Sequence, residues 1–324
     1  MGGSDKPKVL AIGGPTASGK TSLSVTLAKR LNGEVVCVDS MQIYRGLDVG
    51  TAKVTEEEMQ GVPHHLVGFL APEETFSVAD FVALADRCIR DISARGKLPV
   101  LVGGTGLYME SLLSGVRFAE QKTDPAVRRQ LEEQAAQLGA DAMHEKLAQI
   151  DPEYAATVHP NNVGRVLRAL ELFQITGVTM TRQRAESKPS EPPYDSLLFC
   201  IGFEDRSVLY QRIDRRVDLM LEQGILREAR LVYDHRDTYH TAAQAIGYKE
   251  FFPYFCGESP LEPCVDKLKQ ASRNYAKRQL TWFRRMPQTL WLDGIQGNLE
   301  AQALAHIHAH WPQVEPGVCE PLNP

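Results

Sequence analysis

The chain has 324 residues, 43% apolar and 24% charged, a globular composition that excludes a fibre, a collagen or a disordered polymer. That length suits one large domain or a core with a smaller insert. The net charge of −5 argues against a general nucleic-acid binder on average field, so an RNA partner requires the basic residues to cluster.

Lys8–Gly14 (KVLAIGG) is a short apolar run closed by glycines and predicts a buried strand. Leu23, Leu27 and Leu31 recur every four residues and predict a helix over 19–31. Glu34–Asp39 (EVVCVD) predicts a second strand, Ser77–Ala94 an amphipathic helix, and Leu98–Val102 another buried strand. Between about 117 and 190 the strand runs vanish. Asp124-Pro125, Asp151-Pro152 and His159-Pro160 punctuate helices there, and Val163, Val166, Leu167, Leu170 and Phe173 carry helical spacing. Ser196–Phe203 and Thr289–Leu292 are later strand candidates, with helices over 207–234 and 261–286.

Continuous apolar strands alternating with helices indicate a parallel sheet covered on both faces. The expected fold is therefore an α/β, P-loop NTPase-like core over 1–116 and 191–324, interrupted by an all-helical insertion over 117–190. Trp311–Pro324 holds four prolines and little periodicity, and disorder is expected there, over about 312–324.

Cys37, Cys88, Cys200, Cys256, Cys264 and Cys319 form no C-x-x-C pair, which predicts reduced thiols in a cytoplasmic protein. The polar Met1–Lys8 segment gives no signal peptide, and no apolar run nears the ~20 residues of a membrane helix. Lys6 breaks the myristoylation pattern that Met1-Gly2 opens.

Gly14-Pro15-Thr16-Ala17-Ser18-Gly19-Lys20-Thr21 fits G-x-x-x-x-G-K-[ST] between a predicted strand and a predicted helix. Glycines let backbone N–H groups line an anion cradle, and the helix N-terminus adds partial positive charge. Lys20 is a point cation for terminal phosphate oxygens, and Thr21 can ligate a phosphate-bound Mg²⁺. The guest is a nucleotide triphosphate or a pyrophosphate ester, since both present similar oxygens.

Asp39 ends the second predicted strand, where ligands of doubly wound sheets gather; it is a candidate general base or metal ligand, or an ordinary strand-end turn or N-cap. Gly103-Gly104-Thr105-Gly106 repeats the strand-to-glycine-turn pattern, from which Thr105 could offer a hydroxyl to the same crevice, although a plain left-handed glycine turn explains it nearly as well. Arg273–Arg285 (RNYAKRQLTWFRR) has five cations and no acid in thirteen residues, with Tyr275, Trp282 and Phe283 interleaved. This pattern suits phosphates and stacked bases, or a solvated face whose aromatics enter the core. Arg206, Arg212, Arg215 and Arg216 form a second cluster able to fork onto pyrophosphate, and Arg165 and Arg168 add positive charge in the insert. His306, His308 and His310 are read as a surface helix, and His64-His65 as structural or substrate-orienting on a strand, rather than as metal sites.

GPTASGKT, DSMQIYRGLDVGTAK, PHHL, GGTGLY, AIGYKE and RNYAKRQLTWFRR stand in this order over about residues 9–293. The set resembles the tRNA isopentenyltransferase family, the tRNA dimethylallyltransferases, in its bacterial form. The resemblance implies a helical insertion that embraces the tRNA anticodon stem-loop, transfer of dimethylallyl from dimethylallyl pyrophosphate to N6 of adenosine 37, Mg²⁺ as cofactor, and a monomer without membrane or obligate protein partners. It implies that Thr16, Lys20, Thr21 and Arg216 serve the pyrophosphate and metal. Asp39 would take the proton of the N6 amine, and Thr105 would help hold the adenine. Contacts to tRNA are implied for Ser40, Met41 and Gln42, for Asn161, Asn162, Val163, Gly164 and Arg165, and for Gln244, Ala245, Ile246, Gly247, Tyr248 and Lys249. The basic helix adds Arg278 and Arg284.

Two other classes compete with this reading. In a P-loop small-molecule or nucleotide kinase the same cradle would hold ATP. In a non-catalytic, nucleotide-gated RNA-binding module Asp39 would be dispensable.

Overall fold

The computed structural model describes residues 6–118, 124–187 and 189–314. The chain divides into two units, 1–113 with 193–324, and 114–192.

The first unit begins β1 (Lys8–Gly13), α1 (Lys20–Arg30), β2 (Gly33–Cys37), α2 (Glu56–Met59), β3 (His64–His65), α3 (Val78–Ala94), β4 (Leu98–Gly103) and α4 (Gly106–Leu113). The second unit holds α5 (Pro125–Leu138), α6 (Ala140–Ile150), α7 (Pro152–Ala155), α8 (Val163–Thr176) and α9 (Met180–Ser187). The first then resumes with β5 (Asp195–Gly202), α10 (Arg206–Glu222), α11 (Ile225–Asp234), α12 (Phe252–Phe255), α13 (Leu261–Arg284), β6 (Thr289–Asp293) and α14 (Leu299–His310).

The six strands run parallel in the order β3-β2-β4-β1-β5-β6. Alternation explains their unbroken apolar sequence. Leu10 and Ile12 of β1 face one cluster with Leu23 and Leu27 of α1, whereas Val9 and Ala11 face another with Phe81, Ala85 and Ile89 of α3. Helices thus cover both faces, as the parallel-sheet reading requires. α13 feeds both clusters, Ala276 and Leu280 on one side and Phe283 on the other. Full burial of Phe283 alone contributes about 1.5–3 kcal/mol.

A third cluster packs Ile43, Tyr44 and Leu47 against Val217, Ile225, Tyr248 and Leu268. Between α10 and α11 the break falls at Gly224, whose φ of 92° suits glycine. In the second unit Asp124 caps α5 with Pro125 in its first turn, and Leu131, Met143, Leu147, Val166 and Leu170 form a separate core.

The proline-rich reading of Trp311–Pro324 needs correction at its start. Trp311 is 1% exposed and belongs to the main core. Its indole N–H donates to Asp195 at 2.8 Å, and Val314 packs against the same core. An isolated tryptophan among prolines carries no periodicity, so nothing local announces its burial. The remainder of the predicted disordered tail, 315–324, lies outside the described residues, as does Cys319.

Candidate active site

The carboxyl ends of β1, β2 and β4 carry three of the motifs to one place. β4 pairs with β1 through Gly103↔Gly13 and with β2 through Val102↔Cys37. The loops leaving these strands are Gly14–Gly19, Asp39–Gln42 and Gly104–Thr105. The first two meet a cavity of about 370 Å³, which the end of β4 lines through Val102 and Gly103. Thr16 lines it from the first loop, Lys20 and Thr21 from the first turn of α1, and Asp39, Ser40, Met41 and Gln42 from the second loop. Gly50–Ala52 and Val54 form one side wall, and Gln244, Ala245, Ile246, Gly247 and Lys249 another. Arg216 enters from α10 with Ile213, Val217 and Met220 around it, and α13 contributes Leu268, Ser272, Tyr275, Arg278 and Gln279.

The electrostatics of this cavity are unbalanced. Burial first, then repulsion from Arg216, lowers the Lys20 ammonium to about 8. Burial also lowers Arg216, while Asp39 partly offsets the effect. Two enclosed cations therefore press on each other beside one carboxylate, an arrangement that a polyanion relieves. The Lys20 ammonium meanwhile donates to the Pro15 carbonyl at 3.0 Å. Left-handed Gly19 (φ 92°) and Ala17 (φ 62°) turn the loop into the helix N-terminus. The remaining loop residues, Gly14, Pro15, Ala17, Ser18 and Gly19, lie behind the lining and shape it.

Asp39 accepts the backbone N–H groups of Met41 (2.8 Å) and Gln42 (3.2 Å) on Oδ1. Among the described residues Oδ2 has no hydrogen-bond partner. Burial raises this carboxyl, against the pull of those amides and of Lys20, which increases its affinity for a proton. Thr105 stands behind the lining, its hydroxyl accepting the Ser40 N–H at 3.3 Å. The Tyr275 hydroxyl lies against Thr105 and Gln279, and burial pushes it up to about 12.

Several residues sit differently from the sequence reading. The glycines of the Gly103–Gly106 turn have no positive φ; close approach, not a left-handed turn, is why they are glycines. A Cβ on Gly103 would overlap the Val38 carbonyl, one on Gly104 the Gln279 amide, and one on Gly106 would lie 2.5 Å from Trp282. Gln42 directs its amide to the carbonyls of Thr51 (3.3 Å) and Ala52 (3.1 Å). Tyr248 is fully buried and packs beneath Gly50, its hydroxyl on Glu228 at 3.0 Å. In the basic helix Phe283 is buried, Trp282 donates to Glu110 at 2.9 Å, and Arg273 pairs with Asp214 at 2.6 Å. Phe283 and Trp282 thus face protein, while Tyr275 and the exposed Arg278 line the cavity and Arg284 lies over Trp291.

His64 and His65 do diverge: His65 meets Glu34 at 2.8 Å, and His64 lines the cavity with Nδ1 on the Val62 carbonyl. Asn161 to Arg165 open α8 in the second unit, with Asn162 at the N-cap position.

Two residues that shape the cavity were not singled out from the sequence. Glu228 accepts the backbone N–H groups of Asp48, Val49 and Gly50 at 2.7–2.9 Å and so fixes the wall at Gly50. Gln279 is 5% exposed and sits on the inward stripe 272, 275, 276, 279, 283 of α13. A glutamine at helical spacing between Ala276 and Phe283 was the available signal.

Among the described residues no three His, Cys, Asp or Glu side chains are grouped to hold a metal ion. Thr21 offers one hydroxyl at the cavity wall. That suits Mg²⁺, which draws most ligands from phosphate oxygens and water. No helix among the described residues is long and apolar enough to cross a membrane.

Comparison with known proteins identifies the family. The IPP transferase family model matches residues 42–286, and the isopentenyl transferase model residues 7–67. The tRNA dimethylallyltransferase of Halalkalibacterium halodurans is 50% identical over 288 residues, 89% of this chain and 91% of that protein. That of Bacillus subtilis is 50% identical over 293 residues, 90% and 92% of the two chains. The crystal structure of the tRNA isopentenylpyrophosphate transferase of Bacillus halodurans superposes with a TM-score of 0.71 at 46% identity, covering 95% and 98% of the chains. A eukaryotic dimethylallyltransferase acting on tRNA gives 0.79 at 30% identity, covering 95% and 80%. The kinase reading has no support in these relatives. The chain belongs to the IPP transferase family, that of the tRNA dimethylallyltransferases.

Proposed function

We propose that this chain transfers a dimethylallyl group from dimethylallyl pyrophosphate to N6 of adenosine 37 in the anticodon stem-loop of tRNA, in the cytoplasm. The observation that carries the reading is the crowding of Lys20 and Arg216 beside Asp39 in one cavity, which joins an anion site to a proton acceptor.

The pyrophosphate of the donor would lie on the first loop, with Thr16, Lys20, Thr21 and Arg216 on its oxygens. When bound, Mg²⁺ at Thr21 supplies further neutralisation of the pyrophosphate charge. Ile213, Val217 and Met220 flank Arg216 and offer apolar surface to the prenyl group. The N6 lone pair of adenine forms the new bond to C1 of the dimethylallyl group. The C1–O bond breaks, and pyrophosphate leaves with that electron pair. The N6 proton passes to Asp39 Oδ2. Because the N6 lone pair is delocalised into the ring, a positioned base gives general-base help as positive charge develops. The adenine must leave its stack to arrive. Exposed Lys249 and Arg278 at the cavity favour the nearby phosphates.

The test is a filter assay with Mg²⁺, radiolabelled dimethylallyl pyrophosphate and an unmodified anticodon stem-loop. Label should enter the RNA, and should not enter when adenosine 37 is replaced by guanosine or Asp39 by alanine. Label entering the guanosine-substituted RNA equally well would overturn the assigned acceptor.

A further inference from the structure

Gln279 links two loops that hold opposite sides of the reaction. Its Oε1 accepts the Thr16 N–H at 3.0 Å, and its Nε2 donates to the Gly104 carbonyl at 3.0 Å. Thr16 belongs to the phosphate loop after β1, and Gly104 to the turn after β4. The amide has one workable orientation. Turned over, its NH₂ would face a backbone N–H and its oxygen a carbonyl, two repulsive contacts in a buried place. From Gly104 the linkage continues: Thr105 accepts the Ser40 N–H at 3.3 Å, and Ser40 follows Asp39. Asp39 in turn is held by the Met41 and Gln42 amides. The bare glycine at 104 is what lets the amide come so close.

We propose that Gln279 is a positioning residue that fixes the distance between the phosphate loop and the turn bearing Thr105, and so aligns the leaving pyrophosphate with the base at Asp39. This rests on the transfer reaction proposed above. Gln279 acts through its neighbours: Thr16 touches the donor side, and Thr105 and Ser40 lead to the acceptor side. Loss of the link leaves each half-site able to bind but lets their separation drift. Small errors in that separation cost rate far more than affinity.

Two variants read this out. Gln279→Glu has the same shape. Ionised, it still accepts from Thr16 but turns an anionic oxygen to the Gly104 carbonyl. Protonated, it accepts from Thr16 and donates its O–H to Gly104, restoring both bonds. Burial raises the pKa of such a carboxyl, bringing the change into a usable pH range. Gln279→Met keeps length and volume but makes neither bond.

Single-turnover transfer should fall about tenfold or more in Gln279→Glu at about pH 8; in Gln279→Met, which adds no charge beside the phosphate loop, donor and stem-loop Kd should stay within about twofold of wild type. The variant-to-wild-type rate ratio should climb toward one as pH falls to about 5.5. Gln279→Met should show the rate loss at every pH, and it decides the matter if the buried carboxylate prevents folding at the higher pH.

A pH-independent Gln279→Glu ratio overturns the proposal. So does full turnover in Gln279→Met, or a loss residing wholly in donor Kd. Absence of transfer by the wild-type protein in the same plate overturns the reaction itself, so the two failures are told apart.

Discussion

On the proposed reading, with Lys20 on the donor pyrophosphate, the affinity for the donor is a function of pH. The Lys20 ammonium is lowered from 10.5 to about 8, by burial and then by Arg216, which corresponds to about 3 kcal/mol against the charged form. Unfolded, the same lysine keeps its proton to about 10.5. Between about 8 and 10.5 the unfolded chain therefore binds the extra proton, and the empty protein gains stability as pH rises through that window. Donor binding has the opposite sense. A pyrophosphate ester, with phosphate ionisation complete above a second pKa of about 6, demands a charged Lys20. Below about pH 8 the charge is already present. Above it each binding event takes up a proton, and Kd should rise about tenfold per pH unit until the pKa of the complex is reached. Calorimetry of dimethylallyl pyrophosphate binding without tRNA, in buffers of contrasting ionisation enthalpy, measures both quantities. Proton uptake should be about one half near pH 8 and approach one near pH 9. In Lys20→Arg the guanidinium stays charged, so the affinity should be weaker and nearly flat. A flat Kd with no proton uptake in the wild-type protein would refute the crowded-cation account of the site.

Asp39→Asn retains an oxygen for the Met41 and Gln42 amides and removes a charge that burial disfavours. Its melting temperature should hold or rise, while single-turnover transfer falls about 10²–10⁴-fold; comparable losses in tRNA binding would shift Asp39 from base to anchor. Gly103→Ala sets a methyl against the Val38 carbonyl and should cost about 1–3 kcal/mol or more in denaturant melts; an unchanged midpoint would contradict the close approach of the two strand ends. Trp311→Ala empties a filled part of the main core and leaves Asp195 without its indole donor. A loss of about 3–5 kcal/mol is expected, whereas a residue in a loose tail would register almost nothing.

Most of the sheet was readable from the chain because its signals are local. Five apolar runs of strand length, two of them closed by glycines, reappear as β1, β2, β4, β5 and β6 within a residue or two of their expected ends. The phosphate loop is similarly local, since G-x-x-x-x-G-K-[ST] needs only the strand before it and the helix after it. What the sequence could not supply is any quantity created by packing. Lys20 is ordinary as a lysine; its pKa is lowered first by the burial that packing creates and then by Arg216, which α10 delivers from some two hundred positions away. Glu228 reads as a helix-surface acid, and only the return of the Asp48–Gly50 loop onto α11 gives it three backbone donors.

The basic helix α13 shows the same division within thirteen residues. Composition alone left two readings open, bases stacked on its aromatics or aromatics turned into the core. Helical phase divides them: Phe283 and Trp282 turn onto the strand ends, and Tyr275 lines the cavity. Positions 272, 275, 276, 279 and 283 share one face, and that face crosses the carboxyl ends of β1 and β4. Phe283 therefore meets Gly13, Gln279 meets Gly104, and Trp282 meets Gly106. The glycines after the strands and the residues on the helix are thus one packing solution: removing a side chain from the turn admits an amide or a ring from α13. Arg278, one position from Gln279 in sequence, falls on the exposed side at the cavity. A single helix can then hold the reacting loops in place with its inner face while presenting positive charge with its outer one. This is how a chain of net charge −5 offers a local basic surface beside a cavity that encloses two cations.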